Sequence, residues 1–345
     1  MEKDFIPVEL YDYELPKEFI AKYPIEPRDH SRLMVLNRAT KEIKHDYFYN
    51  LPEYLQEGDL LVLNNTKVIP ARLLGTKPTG GKVEVLLNRK LEGQNLWEAL
   101  VGGKKIKPGL EITIAPDLKA VIKRQVEGPL FEVELFAPDG RVMDKIFKYG
   151  KIPIPPYLER EEEEIDRKRY QTIFAQREGS VAAPTASLHF TERVFEKLRQ
   201  KGVQIAYITL HVGLGTFKPI KVKNILQHKV DPEYVEVPQE VVEKIKETKE
   251  RKRRVIAVGT TVTRALETVG LKGLKPFKGF TDLYIKPGHK FRVVDSMITN
   301  FHLPRSSLLV LVATFAGREF ILKAYREAIE KGYRFYSYGD AMLIL

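Results

Sequence analysis

The sequence predicts an α/β protein, a three-layer α/β core domain into which a small antiparallel β-barrel domain is inserted. Three observations carry this. Beyond residue 154 helical and strand-like segments alternate. Between about 71 and 143 short strands with polar–apolar alternation are punctuated by Gly and Pro, and the helical signal is weak. A strand-like run, DLLVLN at 59–64, stands just before the change in texture. The core is therefore expected as residues 1–66 together with 154–345, and the barrel as residues 67–153.

Each element has its own signal. Asp59–Asn64 is an apolar strand ending in the polar Asn65-Thr66-Lys67. In the inserted segment, 83–87, 110–114, 120–122 and 131–135 read as short strands. The proline-rich 152–156 is too stiff and too poor in donors for a strand interior, so it marks the exit. A charged helix is expected at 159–169, then a helix at 191–201 capped by Thr191, and a continuous apolar strand at 203–212. A helix at 239–252, a strand at 254–258 and a helix opening at Thr261 or Thr263 follow. Strands at 280–285 and 296–301 lead into an apolar helix from Ser306 and an amphipathic helix at 318–331. A strand at 335–338 and the apolar 341–345 close the chain.

Length and composition agree with this division. At 345 residues the chain is longer than one core usually supports, and 43% hydrophobic with 30% charged residues is a globular profile. Residues 1–5 show no basic stretch leading into an apolar run, so no secretory signal is expected and a cytoplasmic location is. The most apolar run, 306–316, is far shorter than the roughly 20 residues that span a bilayer. Cysteine is absent, which excludes disulfides, thiolate metal sites and a cysteine nucleophile. None of the seven histidines lies within five residues of another, which disfavours a histidine metal site.

The formal charge of +11 suits a polyanionic partner, although a Lys/Glu-rich surface is also a thermophile trait. Residues 67–151 hold 16 Lys/Arg against 10 Asp/Glu, so the inserted unit is disproportionately basic. Lys104, Lys105 and Lys107 cluster beside Gly102-Gly103 in an expected turn, either a phosphate contact or a solvated loop.

The familiar phosphate fingerprints fail. No G-x-x-x-x-G-K-[ST] occurs, and Gly213-Leu214-Gly215 lacks the third glycine of a dinucleotide motif. What remains is a set of strand ends. Gly259-Thr260-Thr261 joins a strand to a helix, a turn whose amides can face an anion, though an ordinary capped turn has the same look. His211, before Gly213 and Gly215, and His302, in Thr299-Asn300-Phe301-His302, each follow a strand, where α/β ligands bind. One such histidine is usually structural; two favour a shared pocket. The run 179–191, dominated by small residues and holding Thr185, allows close approach of a ligand or of a neighbouring element. Ser187 and His189 lack both a G-x-S-x-G setting and an orienting acid. Asp340, beside the aromatics of 333–338, could hold a cation such as a sulfonium, or merely end a strand of core aromatics.

Taken in order, GDLLVLNNTKVIPARL, GSVAAPTASLHFT, ITLHVGLGTFKP, VGTTVTRALE, ITNFHLP and YGDAM resemble the S-adenosylmethionine:tRNA ribosyltransferase-isomerases of queuosine synthesis, nearly end to end. The resemblance implies an α/β core with an inserted barrel and no bound metal or organic cofactor. S-adenosylmethionine would be the ribosyl-donor substrate, and 7-aminomethyl-7-deazaguanine at the tRNA wobble position the acceptor. Adenine and methionine would leave and epoxyqueuosine would remain. Such chemistry needs a base beside the sulfonium, acid–base help as adenine departs, and a neutral amine as nucleophile. On that footing His211 and His302 are expected to serve proton transfer, Asp340 to sit near the sulfonium, and Thr185, Gly213, Gly215, Thr260 and Thr261 to surround the donor. For RNA, Arg32, Lys67, Arg72, Lys218 and Arg305 join Lys104, Lys105 and Lys107, and a monomer is expected. Two rival readings are another S-adenosylmethionine-dependent RNA-modifying enzyme and a non-catalytic RNA-binding protein.

Overall fold

A computed structural model describes residues 4–345, so residues 1–3 of the expected core lie outside the described residues. In chain order the elements are β1 (Arg32–Leu36), β2 (Ile43–Tyr47), β3 (Leu60–Asn64), β4 (Thr66–Val68), β5 (Arg72–Thr76), β6 (Lys82–Lys90), β7 (Leu96–Gly102), β8 (Glu111–Ala115), β9 (Leu118–Glu127), β10 (Leu130–Phe136) and α1 (Val142–Tyr149). Then come α2 (Glu164–Arg169), β11 (Arg177–Ser180), α3 (Glu192–Gln200), β12 (Gln204–Leu210), β13 (Glu233–Val237), α4 (Gln239–Glu250), β14 (Val255–Val258) and α5 (Thr260–Leu271). The chain closes with β15 (Phe277–Thr281), β16 (Ser296–Asn300), α6 (Ser307–Ala316), α7 (Arg318–Glu330) and β17 (Ala341–Ile344).

An apolar run without polar alternation is satisfied only where both faces of a strand are covered. β3 is such a run, all five residues fully buried, and it sits inside a nine-stranded sheet of order β15-β13-β12-β3-β14-β16-β17-β1-β2. Leu60, Val62, Ala257 and Met297 face the layer built by α4, α5, α6 and α7. Leu61, Leu63, Ile256 and Val258 face the opposite layer, made by α3 and the 3-10 segment Phe48–Tyr54. This is the expected three-layer core. β12, β3, β14 and β16 run parallel, so their carboxyl ends share one edge.

The strands of residues 72–136 close into an antiparallel barrel of order β10-β7-β6-β5-β8-β9. Here one face of each strand is wet and alternation returns: Val83, Val85 and Leu87 point inward with Trp97, Phe131, Val133 and Leu135. Outward, Arg124 pairs with Glu132 and Lys123 with Glu134 across β9 and β10. Helix α1, unforeseen in the sequence, buries Val142 and Ile146 against this barrel core.

Several expectations are corrected. Residues 335–338 form no strand: Phe335 makes a single bridge to Ile20, and Tyr336 has φ 73°, a left-handed turn that breaks extension. The closing strand is β17, antiparallel to β16 and parallel to β1. The expected strand 280–285 runs instead as β15, an edge strand paired only with β13. The charged helix begins at Glu164, where the Glu163/Asp166 capping box fixes its start, because Glu159 is left-handed. Helix α5 opens at Thr260, as Gly259 takes φ 99°, a turn open chiefly to glycine.

Candidate active site

Because β12, β3, β14 and β16 end at the same edge, the segments that follow them converge there. Thr66 follows β3, His211 follows β12, Gly259 precedes α5 after β14, and His302 follows β16. Two cavities open at this edge. The larger, about 1210 Å³, is a cleft between the sheet and the barrel, into which Asn88, Arg89 and Lys90 of β6 reach opposite His211, Tyr234 and Phe280. The smaller, about 70 Å³, lies within the core and is lined by Thr185, Thr260, Thr261, His302, Tyr157 and Tyr336 among others. Thr216 and Leu308 line both, so the two chambers share a wall.

His211 is half-buried. Its Nδ1 lies 2.8 Å from Thr66 Oγ1, and its ring stacks on Tyr234 at 5.6 Å and 17°. Against its other side comes Gly179, so close that a Cβ there would lie 2.8 Å from the imidazole. Burial above all, with Arg177 adding and Glu236 opposing, lowers its pKa to about 4, so the ring is neutral near pH 7. His302 has Nε2 2.6 Å from Thr299 Oγ1, its N–H donates to the Tyr325 hydroxyl and its carbonyl accepts from Tyr13. Burial lowers its pKa to about 3. His189, by contrast, spends both nitrogens inside the core, on Ser31 Oγ (2.9 Å) and Asn300 Oδ1 (2.7 Å).

The glycine loop is tied down rather than free. Gly213 N–H donates to Glu233 Oε2 (2.7 Å) and Leu214 N–H to Asn88 Oδ1 of the barrel (2.9 Å). The other Glu233 oxygen pairs with Arg264 of α5, both side chains being buried. A Cβ at Gly215 would lie 2.4 Å from Asp231 Oδ2. One ion pair thus links the loop of the cleft to the helix whose first turn lines the inner chamber. Sequence reading missed Glu233, Tyr234 and Asn88. The period-2 pattern of EYVEV at 233–237 was the signal for the first two, while no local pattern marks Asn88.

The expected residues therefore divide. His211, Gly213, Gly215 and Lys218 line the cleft; Thr185, Thr260, Thr261 and His302 line the inner chamber. Asp340 lines neither. Its oxygens accept the backbone N–H groups of Arg32 (2.8 Å) and Arg334 (2.7 Å), and at 2% exposure it clamps β1 to the turn before β17. The contact with a sulfonium expected of Asp340 lacks the open carboxylate it requires.

Among the basic candidates, Arg72 is held by Glu84 and Glu161, Lys218 by Asp231, and Arg305 by Asp12. Arg32 donates to the Lys331 carbonyl and lies over Tyr333, and Lys67 lies over Phe147. Lys104, Lys105 and Lys107 are exposed at the far turn of the barrel, outside both cavities. At the cleft itself stand Lys90, Lys221 and Lys229, exposed and without an ion-pair partner among the described residues. No cluster that could hold a metal ion occurs among the described residues.

A parallel-sheet edge with two desolvated histidines, beside a cleft under a β-barrel, is an arrangement suited to an α/β enzyme. The chain belongs to the queuosine biosynthesis protein family, whose sequence model matches residues 8–344. A protein of Aquifex aeolicus (strain VF5) named S-adenosylmethionine:tRNA ribosyltransferase-isomerase is 65% identical over 338 residues, covering 98% of this chain and 99% of that protein. One of the same name from Hydrogenobaculum sp. (strain Y04AAS1) is 58% identical, covering 98% of this chain and 99% of its own length. The crystal structure of an S-adenosylmethionine tRNA ribosyltransferase from Thermotoga maritima is 43% identical, with a TM-score of 0.57, covering 97% of this chain and 100% of that one.

Proposed function

We propose that the chain transfers and isomerises the ribosyl group of S-adenosylmethionine onto 7-aminomethyl-7-deazaguanine at the tRNA wobble position, releasing adenine and methionine and leaving epoxyqueuosine. The observation that carries this reading is the near end-to-end likeness to proteins named for that reaction. The geometry supports it. The site offers two adjacent spaces, the cleft and the inner chamber, whose shared wall includes Thr216 and Leu308. The donor is too large for the inner chamber of about 70 Å³ alone and belongs where that chamber adjoins the glycine loop, near Thr185, Gly213, Gly215, Thr260 and Thr261. The modified base belongs in the outer cleft, where the exposed Phe280, set edge to face with Tyr234, offers an apolar surface to an extruded purine-like ring.

His302 and His211 supply the acid–base help, being uncharged at neutral pH and so able to act beside a sulfonium without repelling it. Asp340 acts at one remove, by fixing the backbone of Arg32 and Arg334. Lys90, Lys221 and Lys229 are favoured as phosphate contacts over Lys104, Lys105 and Lys107, since they rim the cleft from both barrel and core while the other three lie outside it. No helix of the described residues is long and apolar enough to cross a membrane. We place the enzyme in the cytoplasm, as a monomer.

The test is incubation of the chain with deazaguanine-modified tRNA and labelled S-adenosylmethionine. Release of adenine and methionine is expected. S-adenosylhomocysteine as product would point to methyl transfer, and tRNA binding without consumption of donor to a non-catalytic binder.

A further inference from the structure

Thr66 on β4, Ser180 on β11 and His211 after β12 meet in a hydrogen-bonded line between the sheet and the cleft. Val212 N–H donates to Ser180 Oγ (2.8 Å). Ser180 Oγ lies 2.6 Å from Thr66 Oγ1, which lies 2.8 Å from His211 Nδ1. Thr66 and Ser180 are fully buried, so bulk water cannot absorb a mismatched proton.

Three protons must be placed: one on each hydroxyl and one on the neutral imidazole. If Ser180 donates to Thr66 and Thr66 donates to Nδ1, every buried proton has a near acceptor and the imidazole proton sits on Nε2. If instead Nδ1–H donates to Thr66 and Thr66 to Ser180, the Ser180 proton has no acceptor among the described residues. The remaining arrangement sends the Thr66 proton to the Arg177 carbonyl at 3.4 Å, beyond the usual 2.5–3.0 Å of an O–H···O bond. Turning the ring over would set Cδ2 in place of Nδ1 against Thr66 Oγ1 and forfeit that hydrogen bond.

We infer that Thr66 and Ser180 are positioning residues that hold His211 as its Nε2–H tautomer, so that this histidine gives a hydrogen bond to substrate rather than taking a proton from it. Burial keeps the ring neutral; Arg177 reinforces this, and Glu236, paired to Arg177 at 2.9 Å, opposes it. What the donor meets rests on the reaction proposed above: a lone pair where negative charge grows, on a nitrogen of the departing purine or on a ribosyl oxygen.

The test begins on the full chain without substrate, by nitrogen-15 spectra of its histidines, with His211→Gln used to assign the signal. Nε2–H is expected in the parent. Thr66→Val should populate the Nδ1–H form and lower kcat about tenfold with KM for the donor within about twofold, while Thr66→Ser restores both. His211→Gln, whose amide N–H falls near Nε2 but cannot act as a base, should keep at least about a tenth of the kcat that His211→Ala loses. An Nδ1–H parent, an unchanged spectrum in Thr66→Val, or His211→Gln as inactive as His211→Ala would overturn the inference. If the parent shows Nε2–H but releases no adenine, the tautomer stands and the reaction reading falls.

Discussion

His211 and His302 end two parallel strands of one sheet, and each ring leans on a threonine hydroxyl, yet they face different spaces. Thr66 engages Nδ1 of His211, which lines a cleft of about 1210 Å³ shared with the barrel. Thr299 engages Nε2 of His302, in a chamber of about 70 Å³ walled by the core alone. The outer site is a junction, completed by a second folded unit and rimmed by lysines; the inner is a pocket of one domain. The difference teaches that a cleft wide enough to admit a large substrate can adjoin a desolvated core, where fixed dipoles act with little screening.

The largest predicted effect comes from cutting the tie between these regions. Glu233→Ala leaves Arg264 buried and unpaired and frees the Gly213 amide, and it should cost about 3 kcal/mol or more of folding stability by denaturant titration. Glu233→Gln, which keeps an acceptor, should cost less. If both variants unfold like the parent, cleft and chamber are not mechanically joined through this pair.

Acid should destabilise the fold through its desolvated histidines, of which His189 lines neither cavity. The pKa of His189 is lowered to about 4, from roughly 6.5 in an unfolded chain, chiefly by burial. Between pH 6.5 and 4 the unfolded state therefore binds more protons, and stability must fall as pH falls through that window, by up to about 3 kcal/mol. His189→Gln should reduce the dependence without abolishing it, since burial also lowers the pKa of His211 to about 4 and that of His302 to about 3. A parent whose stability is level from pH 7 to 4.5 would contradict this. Asp340→Asn keeps the shape of the clamp but offers one good acceptor where two amides need them. A loss of about 1–3 kcal/mol is expected, with KM for the donor unchanged; a donor KM raised tenfold would return Asp340 to the site.

The smallest effects belong to the rim. Replacing Lys90, Lys221 and Lys229 together by Gln should reduce the slope of log affinity for tRNA against log salt by about two to three, whereas Lys104, Lys105 and Lys107 replaced together should change it by less than about one. The reverse order would move the RNA track from the cleft to the far turn of the barrel.

Much of this geometry is legible locally, and the rest is not for identifiable reasons. The strand-end positions of His211, Thr260 and His302 follow from apolar runs that must be buried on both faces, which fixes a parallel sheet and therefore a common edge. Asp340 misleads because its partners, the amide of Arg32 and the turn at Arg334, are set by the docking of β17 on β1, a contact about 300 residues apart in sequence. Lys90 and Lys221 come together only when the barrel seats on the core, and no periodicity records that closure. Residues 335–338 look like a strand because aromatics favour strands, but Tyr336 and Tyr157 pack edge to face at 4.6 Å in a turn, where packing overrides propensity.

The most direct test of a single centre spanning both chambers is single-turnover adenine release by His211→Ala, His302→Ala and the double variant, at saturating donor and tRNA. Each single variant should fall by about a hundredfold or more, and the double variant should be little worse than the poorer single, as expected of groups acting on one transition state. Both single variants within about threefold of the parent, a difference well under 1.4 kcal/mol, would contradict the account.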